Sequence, residues 1–239
     1  MNDSPHYRPL YRQVYDFLLK QIAEGGWRPG EILPSEQQLA VRLNVSQGTV
    51  RKALDTLAVD KLIERRQGKG TFVVEQTQES ALFRFFRLAQ PGGVRAVPTS
   101  DSDSLRTRKA KPNEAQRLRL EAGAMVIEIA RTRLIDGKPT VFERIVLPKA
   151  LFPNLDGRTP LPNALYALYQ REYGINITTA EEELHADLAN RDDARRLGVA
   201  EGSPILHIER VAIGLDGTRA EYRVSRCNTT ALVYAVQLS

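Results

Sequence analysis

Leu33-Pro34-Ser35-Glu36-Gln37-Gln38-Leu39-Ala40-Val41-Arg42-Leu43-Asn44-Val45-Ser46-Gln47-Gly48-Thr49-Val50-Arg51-Lys52-Ala53-Leu54-Asp55-Thr56-Leu57 is the stretch on which the fold of the first third turns. Ser35 followed three residues later by Gln38 has the form of a capping box, opening a helix with Leu39 and Leu43 on its inner face. Asn44 breaks that helix. Ser46 then caps another, in which Val50, Ala53, Leu54 and Leu57 make the apolar stripe as far as about Val59. Upstream, Leu10, Val14, Phe17, Leu18 and Ile22 recur at helical spacing until Gly25-Gly26, and Pro29, Gly30 and Pro34 make a turn. Downstream, Leu62-Ile63 leads into Glu64 to Val74, where Gly68 and Gly70 punctuate two short strands.

Helix, helix, turn, helix and a hairpin with a basic tip is the layout of a winged helix-turn-helix, whose third helix enters a DNA major groove. Charge position agrees with it. Arg42 to Val74 hold seven basic residues against three acidic ones, whereas residues 1–41 hold four against five. A basic run read alone is equally a solvated face; helix order, caps and hairpin together favour nucleic acid.

The whole chain has 239 residues, 42% hydrophobic and 26% charged, with a formal net charge of +5, which suits two ordinary globular domains and excludes global disorder. No run approaches the ~20 apolar residues of a membrane helix, and Met1 to Leu10 lacks a signal-peptide core, so a cytoplasmic location is expected. The single cysteine, Cys227, and three scattered histidines, His6, His185 and His207, predict no internal disulfide and no metal site. No cofactor is expected. Residues 75–80, Glu-Gln-Thr-Gln-Glu-Ser, carry no aliphatic or aromatic side chain and read as a linker between residues 1–74 and 81–239.

Leu33-Pro34-Ser35-Glu36, Leu39-Ala40, Asn44-Val45-Ser46, Thr49-Val50-Arg51-Lys52-Ala53-Leu54 and Gln67-Gly68-Lys69-Gly70-Thr71-Phe72-Val73 together resemble the GntR family of bacterial transcription regulators, over about residues 8–74. The resemblance implies that the start of the third helix reads base edges and that the wing tip approaches the minor groove. It marks Ser35, Glu36, Gln37, Ser46, Gln47, Gly48, Thr49, Arg51, Lys52, Arg66, Gln67, Gly68 and Lys69 as DNA-facing. Gln37 and Gln47 stand where many relatives carry guanine-reading arginines. Glutamine instead matches the N6/N7 edge of adenine, and one good bidentate pair is worth ~1–3 kcal/mol of discrimination, so a shifted operator is expected.

Residues 81–239 contain an internal echo. Glu121-Ala122-Gly123 through Ile129-Ala130-Arg131, followed by Asp136-Gly137, is matched by Ala200-Glu201-Gly202 through Ile208-Glu209-Arg210, followed by Asp216-Gly217. Each copy follows a helix-like stretch, Asn113 to Leu118 or Asp192 to Leu197, and each return strand carries an acid, Glu143 or Glu221. Duplicated helix-plus-hairpin units predict an α+β domain, an antiparallel sheet with helices on one face and a cleft between the halves. Leu161 with Ala164 to Tyr169 reads as a helix ending near Gly174, and Thr178 to Leu188 as a strand.

That order of elements resembles the UTRA effector domain of the HutC subfamily, similar in fold to chorismate lyase, over about Ala81 to Val236. The resemblance implies an effector site in which Arg131 and Arg133 grip an anionic group and Glu143, Tyr166 and Glu221 bind the rest of the ligand, with Arg84 and Phe86 close to its entry. Two arginines two apart on a strand share one face, ~6.6 Å apart, which suits a carboxylate or phosphate between guanidinium forks. The bland alternative puts both on the wet face of the sheet. Ala164 replaces a serine hydroxyl frequent in relatives. His185 and His207 read as plain strand residues, Phe83, Phe85 and Phe86 as packing, and Cys227 as a buried filler.

The expected protein is a ligand-responsive transcription regulator, a repressor, that binds a near-palindromic double-stranded DNA operator as a homodimer and answers a small anionic metabolite. Its rivals are a chorismate lyase-like enzyme, for which no nucleophile-base pair or phosphate-cradling glycine loop is present, and a ligand-independent DNA-binding protein.

Overall fold

The computed structural model describes residues 8–75, 85–92 and 96–237, and the chain divides into two compact units between residues 76 and 77. Arg84, Phe83 and the 76–80 part of the expected linker lie outside the described residues.

In the first unit, α1 (Leu10–Ala23), α2 (Glu36–Leu43) and α3 (Gln47–Val59) precede a hairpin of β1 (Ile63–Arg66) and β2 (Gly70–Val73). The capping box at Ser35 forms: its Oγ accepts from the Gln38 N–H, and Gln38 Oε1 accepts from the Ser35 N–H. Asn44, left-handed at φ 52°, ends α2, and Ser46 caps α3 through the Thr49 N–H at 3.1 Å. Val14, Leu18 and Ile22 of α1, Leu39 of α2 and Val50, Ala53, Leu54 and Leu57 of α3 are all buried, while Phe17 and Leu43 are half-buried and Leu10, at the start of α1, is exposed, unlike its expected place in the stripe. The wing is anchored from behind: Leu33 N–H donates to Thr71 O, Val73 N–H to Glu31 O and Gly30 N–H to Val73 O. Gly70 takes φ +117°, a backbone conformation that residues with a side chain rarely adopt, so glycine is favoured there.

The second unit is built on a six-stranded antiparallel sheet in the order β4-β5-β6-β9-β8-β7, from β4 (Thr99–Lys109), β5 (Met125–Ile135), β6 (Lys138–Pro148), β7 (Ile177–Leu188), β8 (Pro204–Gly214) and β9 (Arg219–Cys227). The helices are α4 (Pro112–Leu118), α5 (Leu165–Tyr173) and α6 (Arg191–Leu197). A ribbon of β3 (Leu88–Ala89) and β10 (Val233–Tyr234), absent from the sequence reading, completes the unit.

The duplication is real in three dimensions. α4-β5-β6 and α6-β8-β9 sit symmetrically about the β6/β9 pair, with β4 and β7 as outer strands. Two expectations need correction. Helices cover both faces: α5 packs on Ile127, Ile129, Ile145 and Leu147, while α4 and α6 pack on Val126, Val146, Val211, Phe142 and Ile205. The near-continuous apolar runs of β5 and β6 are the physical sign, since strands with one wet face alternate instead. The second Asp-Gly is also not a two-residue turn. Asp136 and Gly137 both have positive φ and join β5 to β6 directly, whereas Leu215 to Thr218 form a longer loop in which Asp216 Oδ1 accepts from the Thr218 N–H.

Candidate functional site

On the first unit, α3 turns Gln47, Gly48, Arg51 and Lys52 outward beside exposed Ser35, Gln37 and Ser46, and the wing turn presents Arg66, Gln67, Gly68 and Lys69; Thr49 is half-buried. Gly68, at φ +69°, forms the tip. The sequence reading did not foresee that this face is laced with carboxylates. Half-buried Glu36 accepts from Arg51 Nε at 2.9 Å, Arg65 Nη2 at 3.3 Å and Gln47 Nε2 at 3.4 Å. The hydrogen bond from Arg51 holds the Glu36 carboxyl below its ordinary range. Arg66 pairs with Glu64 while its guanidinium lies 4.4 Å over the Phe72 ring, and Lys52 sits 4.1 Å over Tyr11 of α1. The basic surplus is thus held in fixed poses rather than freely solvated.

On the second unit, the pairing register collects charge on one sheet face. Arg131 stands opposite Glu143 on β6, and Arg210, its counterpart in the second repeat, stands opposite Arg223 on β9. Arg131, Arg133, Glu143, Tyr166, Phe86, Arg210 and Arg223 line one partly open cavity of about 40 Å³. Arg131 and Arg133 are 2% and 3% exposed, which overturns the wet-face alternative. Arg131 Nη2 donates to Ser100 Oγ at 2.7 Å and Arg133 Nη1 to Asn163 O at 3.0 Å, and the charges of both act on the neighbouring Glu143 carboxylate. A buried cation costs several kcal/mol unless compensated, so such a cluster of guanidinium groups needs anionic partners.

Glu143 is oriented by Arg223, whose Nη1 donates to Oε1 at 2.9 Å; its Oε2 is buried and accepts no hydrogen bond among the described residues. Burial raises the Glu143 carboxyl, but Arg223, Arg133, Arg131 and Arg210 outweigh it and bring it down to about 2. Glu221 is placed differently from the expectation. It does not line the cavity but lies fully buried behind it, accepting from Tyr166 Oη (2.9 Å), Tyr169 Oη (2.8 Å) and Arg223 Nε (2.8 Å). In the hairpin register the counterpart of Glu143 is Arg223, while Glu221 lies two residues earlier and pairs with Ala212. Burial, and then the Glu221 charge, push the Tyr166 hydroxyl up, so it stays a neutral donor. Arg210 and Arg223 went unread, although the repeat itself aligned Arg210 with Arg131.

His185 and His207 form an edge-to-face pair across β7 and β8, and Cys227 is buried among Leu88, Val141 and Ile208. No group of metal-binding side chains and no helix long and apolar enough to cross a membrane occurs among the described residues.

Comparison with known proteins matches residues 10–73 to the gntR family of bacterial regulatory proteins and residues 95–232 to the UTRA domain. The chain belongs to the GntR family, in its UTRA-bearing HutC branch. The mannosyl-D-glycerate transport/metabolism system repressor MngR of Escherichia coli is 31% identical over 226 residues, covering 93% of each chain. The histidine utilization repressor of Pseudomonas putida is 30% identical over 88% of this chain and 84% of its own. The ligand-binding domain of a GntR-family regulator from Bordetella bronchiseptica matches at TM-score 0.60 and 30% identity, over 66% of this chain and 99% of that domain. This GntR protein is a ligand-responsive, DNA-binding transcriptional repressor.

Proposed function

We propose that this repressor binds a near-palindromic operator as a homodimer, through the α3 and wing residues named above, and releases it when a small anionic metabolite occupies the Arg131/Arg133 cavity. Residues 1–74 serve as the DNA head, 75–80 as the linker and 81–239 as the effector and dimerisation domain of a cytoplasmic protein without catalytic activity. The observation that supports the reading is the convergence of four guanidinium groups, Arg131, Arg133, Arg210 and Arg223, on one cavity whose lining holds a single carboxylate, Glu143. An anion bound there adds a charged acceptor to a lining in which guanidinium groups outnumber carboxylates.

Glu143 adds a second requirement. Its unmatched buried oxygen calls for a hydrogen-bond donor on the same ligand, so the effector carries an anionic group and a hydroxyl or amine. MngR and the histidine utilization repressor are named for systems whose compounds, a glycoside of glycerate and an amino acid, join those two features. Because ligand pockets usually measure ~300–1,000 Å³, the 40 Å³ cavity must widen on binding, and Phe85 and Phe86 are the lining residues nearest in sequence to the linker. Widening at that end couples effector binding to the freedom of the DNA heads, a coupling of typically ~1–3 kcal/mol.

The test is a thermal-shift screen of hydroxy- and amino-carboxylates and their phosphorylated counterparts, followed by operator titration with each hit, the operator being selected from random DNA. A ligand that raises the melting temperature and weakens operator binding is the expected result. Unchanged operator affinity with a bound ligand overturns the reading.

A further inference from the structure

Glu36 is the first residue of α2, and three elements of the DNA head meet at its carboxylate. Its Oε2 accepts from Arg51 Nε on α3 at 2.9 Å, with Arg51 Nη2 at the same distance, and from Gln47 Nε2, one turn earlier on that helix, at 3.4 Å. Its Oε1 accepts from Arg65 Nη2 on β1 at 3.3 Å. The Glu36 side chain is only 21% exposed, whereas Gln47 and Arg51 are exposed. A carboxylate here weakens a surface that meets phosphate, because it cancels a cation and repels the DNA backbone. What it supplies is direction. Glutamine is ambiguous as a reader of bases, since its amide presents an acceptor or donors according to which way it is turned. The Glu36 carboxyl, held below its ordinary range by Arg51, is ionised and only accepts, so Gln47 must turn its NH2 toward it. One N–H and Oε1 of Gln47 then remain, a donor beside an acceptor, which is the complement of adenine N7 and its N6 amine. Guanine offers two acceptors, N7 and O6, and does not match. Arg51, gripped along its Nε and Nη2 edge, is fixed in the same way.

We propose that Glu36 is a specificity-determining positioning residue, which touches no DNA itself and selects adenine over guanine at one half-site position by fixing which way the Gln47 amide points. The proposal rests on the reading above that α3 meets the bases, and adds to it the group that gives Gln47 its polarity. Its second consequence is a weaker hold on DNA of any sequence. Arg65 also pairs with Asp55 at 2.7 Å, so losing the Glu36 charge releases Arg51 alone. Glu36 thus exchanges general affinity for sequence selection.

The experiment uses the full chain in two assays, selection from a random DNA pool and titration of a random-sequence duplex at several salt concentrations. The wild-type protein is expected to return adenine at one position of each half-site, and Gln47→Ala to lose it. Glu36→Gln keeps the size of the side chain but offers an NH2 as well as an oxygen, so the Gln47 amide is able to turn over. Its preference for adenine over guanine at that position should fall about fivefold or more, the lower end of what one bidentate pair supplies. On the random duplex the same variant should bind more tightly, with a salt slope steeper by about 0.9 for the one arginine released. A defect of folding would weaken both assays, so looser selection with tighter random binding is the signature of positioning. Selection unchanged by Gln47→Ala overturns the reading of Gln47 as a base contact, and the proposal with it. An adenine position that Gln47→Ala erases and Glu36→Gln leaves sharp overturns the role of Glu36 and leaves the reading of Gln47 standing. Weaker binding of Glu36→Gln to the random duplex likewise reduces Glu36 to a structural part.

Discussion

Arginine does opposite things in the two units. On the DNA-facing surface Arg51 is 57% exposed at its side chain and leans on Glu36, so its charge costs little and stays available to phosphate or base. In the cavity proposed for the effector, Arg131 is among the largest fully buried side chains, where desolvation is expensive unless specific acceptors compensate it. The first arrangement suits a ligand that is itself a dense, hydrated polyanion. The second suits one small anion selected by fit.

The largest effect that would break this contrast lies behind the cavity. Glu221→Ala removes the carboxylate that holds Tyr166, Tyr169 and Arg223, leaving two buried hydroxyls unmatched and Arg223 with Glu143 alone, with an expected loss of about 3–5 kcal/mol in chemical denaturation. A loss under about 1 kcal/mol would show that Arg223 finds another partner. Arg131→Ala comes next: effector affinity should fall by about two orders of magnitude, roughly the worth of a charge-assisted pair, while operator affinity in the absence of effector stays as it was. Parallel loss of both would erase the functional separation of the two surfaces.

Arg51→Ala should cost operator binding about 1–3 kcal/mol and, where the contact is to phosphate, lower the salt slope by about 0.9, measured by fluorescence anisotropy at several salt concentrations. Gln47→Arg is a smaller change that shifts base preference at one half-site position from adenine toward guanine, read by selection from random DNA. The smallest is a pH effect. With its carboxyl brought down to about 2 in the folded chain against 4.5 ordinarily, Glu143 contributes stability that is fully present above about pH 4.5 and is lost as pH falls toward 2. Glu143→Gln should flatten stability across that window, and an unchanged acid limb would place the cause in other carboxylates.

Much of the DNA head was legible because its determinants are local. Ser35 with Gln38, Ser46 with Thr49, and Gly68 at a positive φ act over three or four residues, the range within which a sequence specifies its own backbone. The Glu36 cluster escaped that reading because Arg65 lies 29 residues away and meets Glu36 only after the wing folds back.

For the second unit, periodicity and the repeated Gly, strand and Asp-Gly pattern were enough to establish duplicated hairpins, and a spacing of two was enough to place Arg131 and Arg133 on one face. Which face, and whether wet or dry, depends on what covers the sheet, and α5 is contributed by a segment between the repeats. Glu221 shows the limit most plainly. It is an acid on a return strand, as Glu143 is, yet the residue paired with Arg210, as Glu143 is with Arg131, is Arg223, and Glu221 pairs with Ala212 instead. The sequence alone determined helices, caps, the wing and the duplication, because each follows from neighbours along the chain. Tertiary structure decided that Arg210 and Arg223 join Arg131 and Arg133 around one cavity, because strand register and helix cover are set by contacts between residues about 80 apart, the separation that joins Arg223 to Glu143.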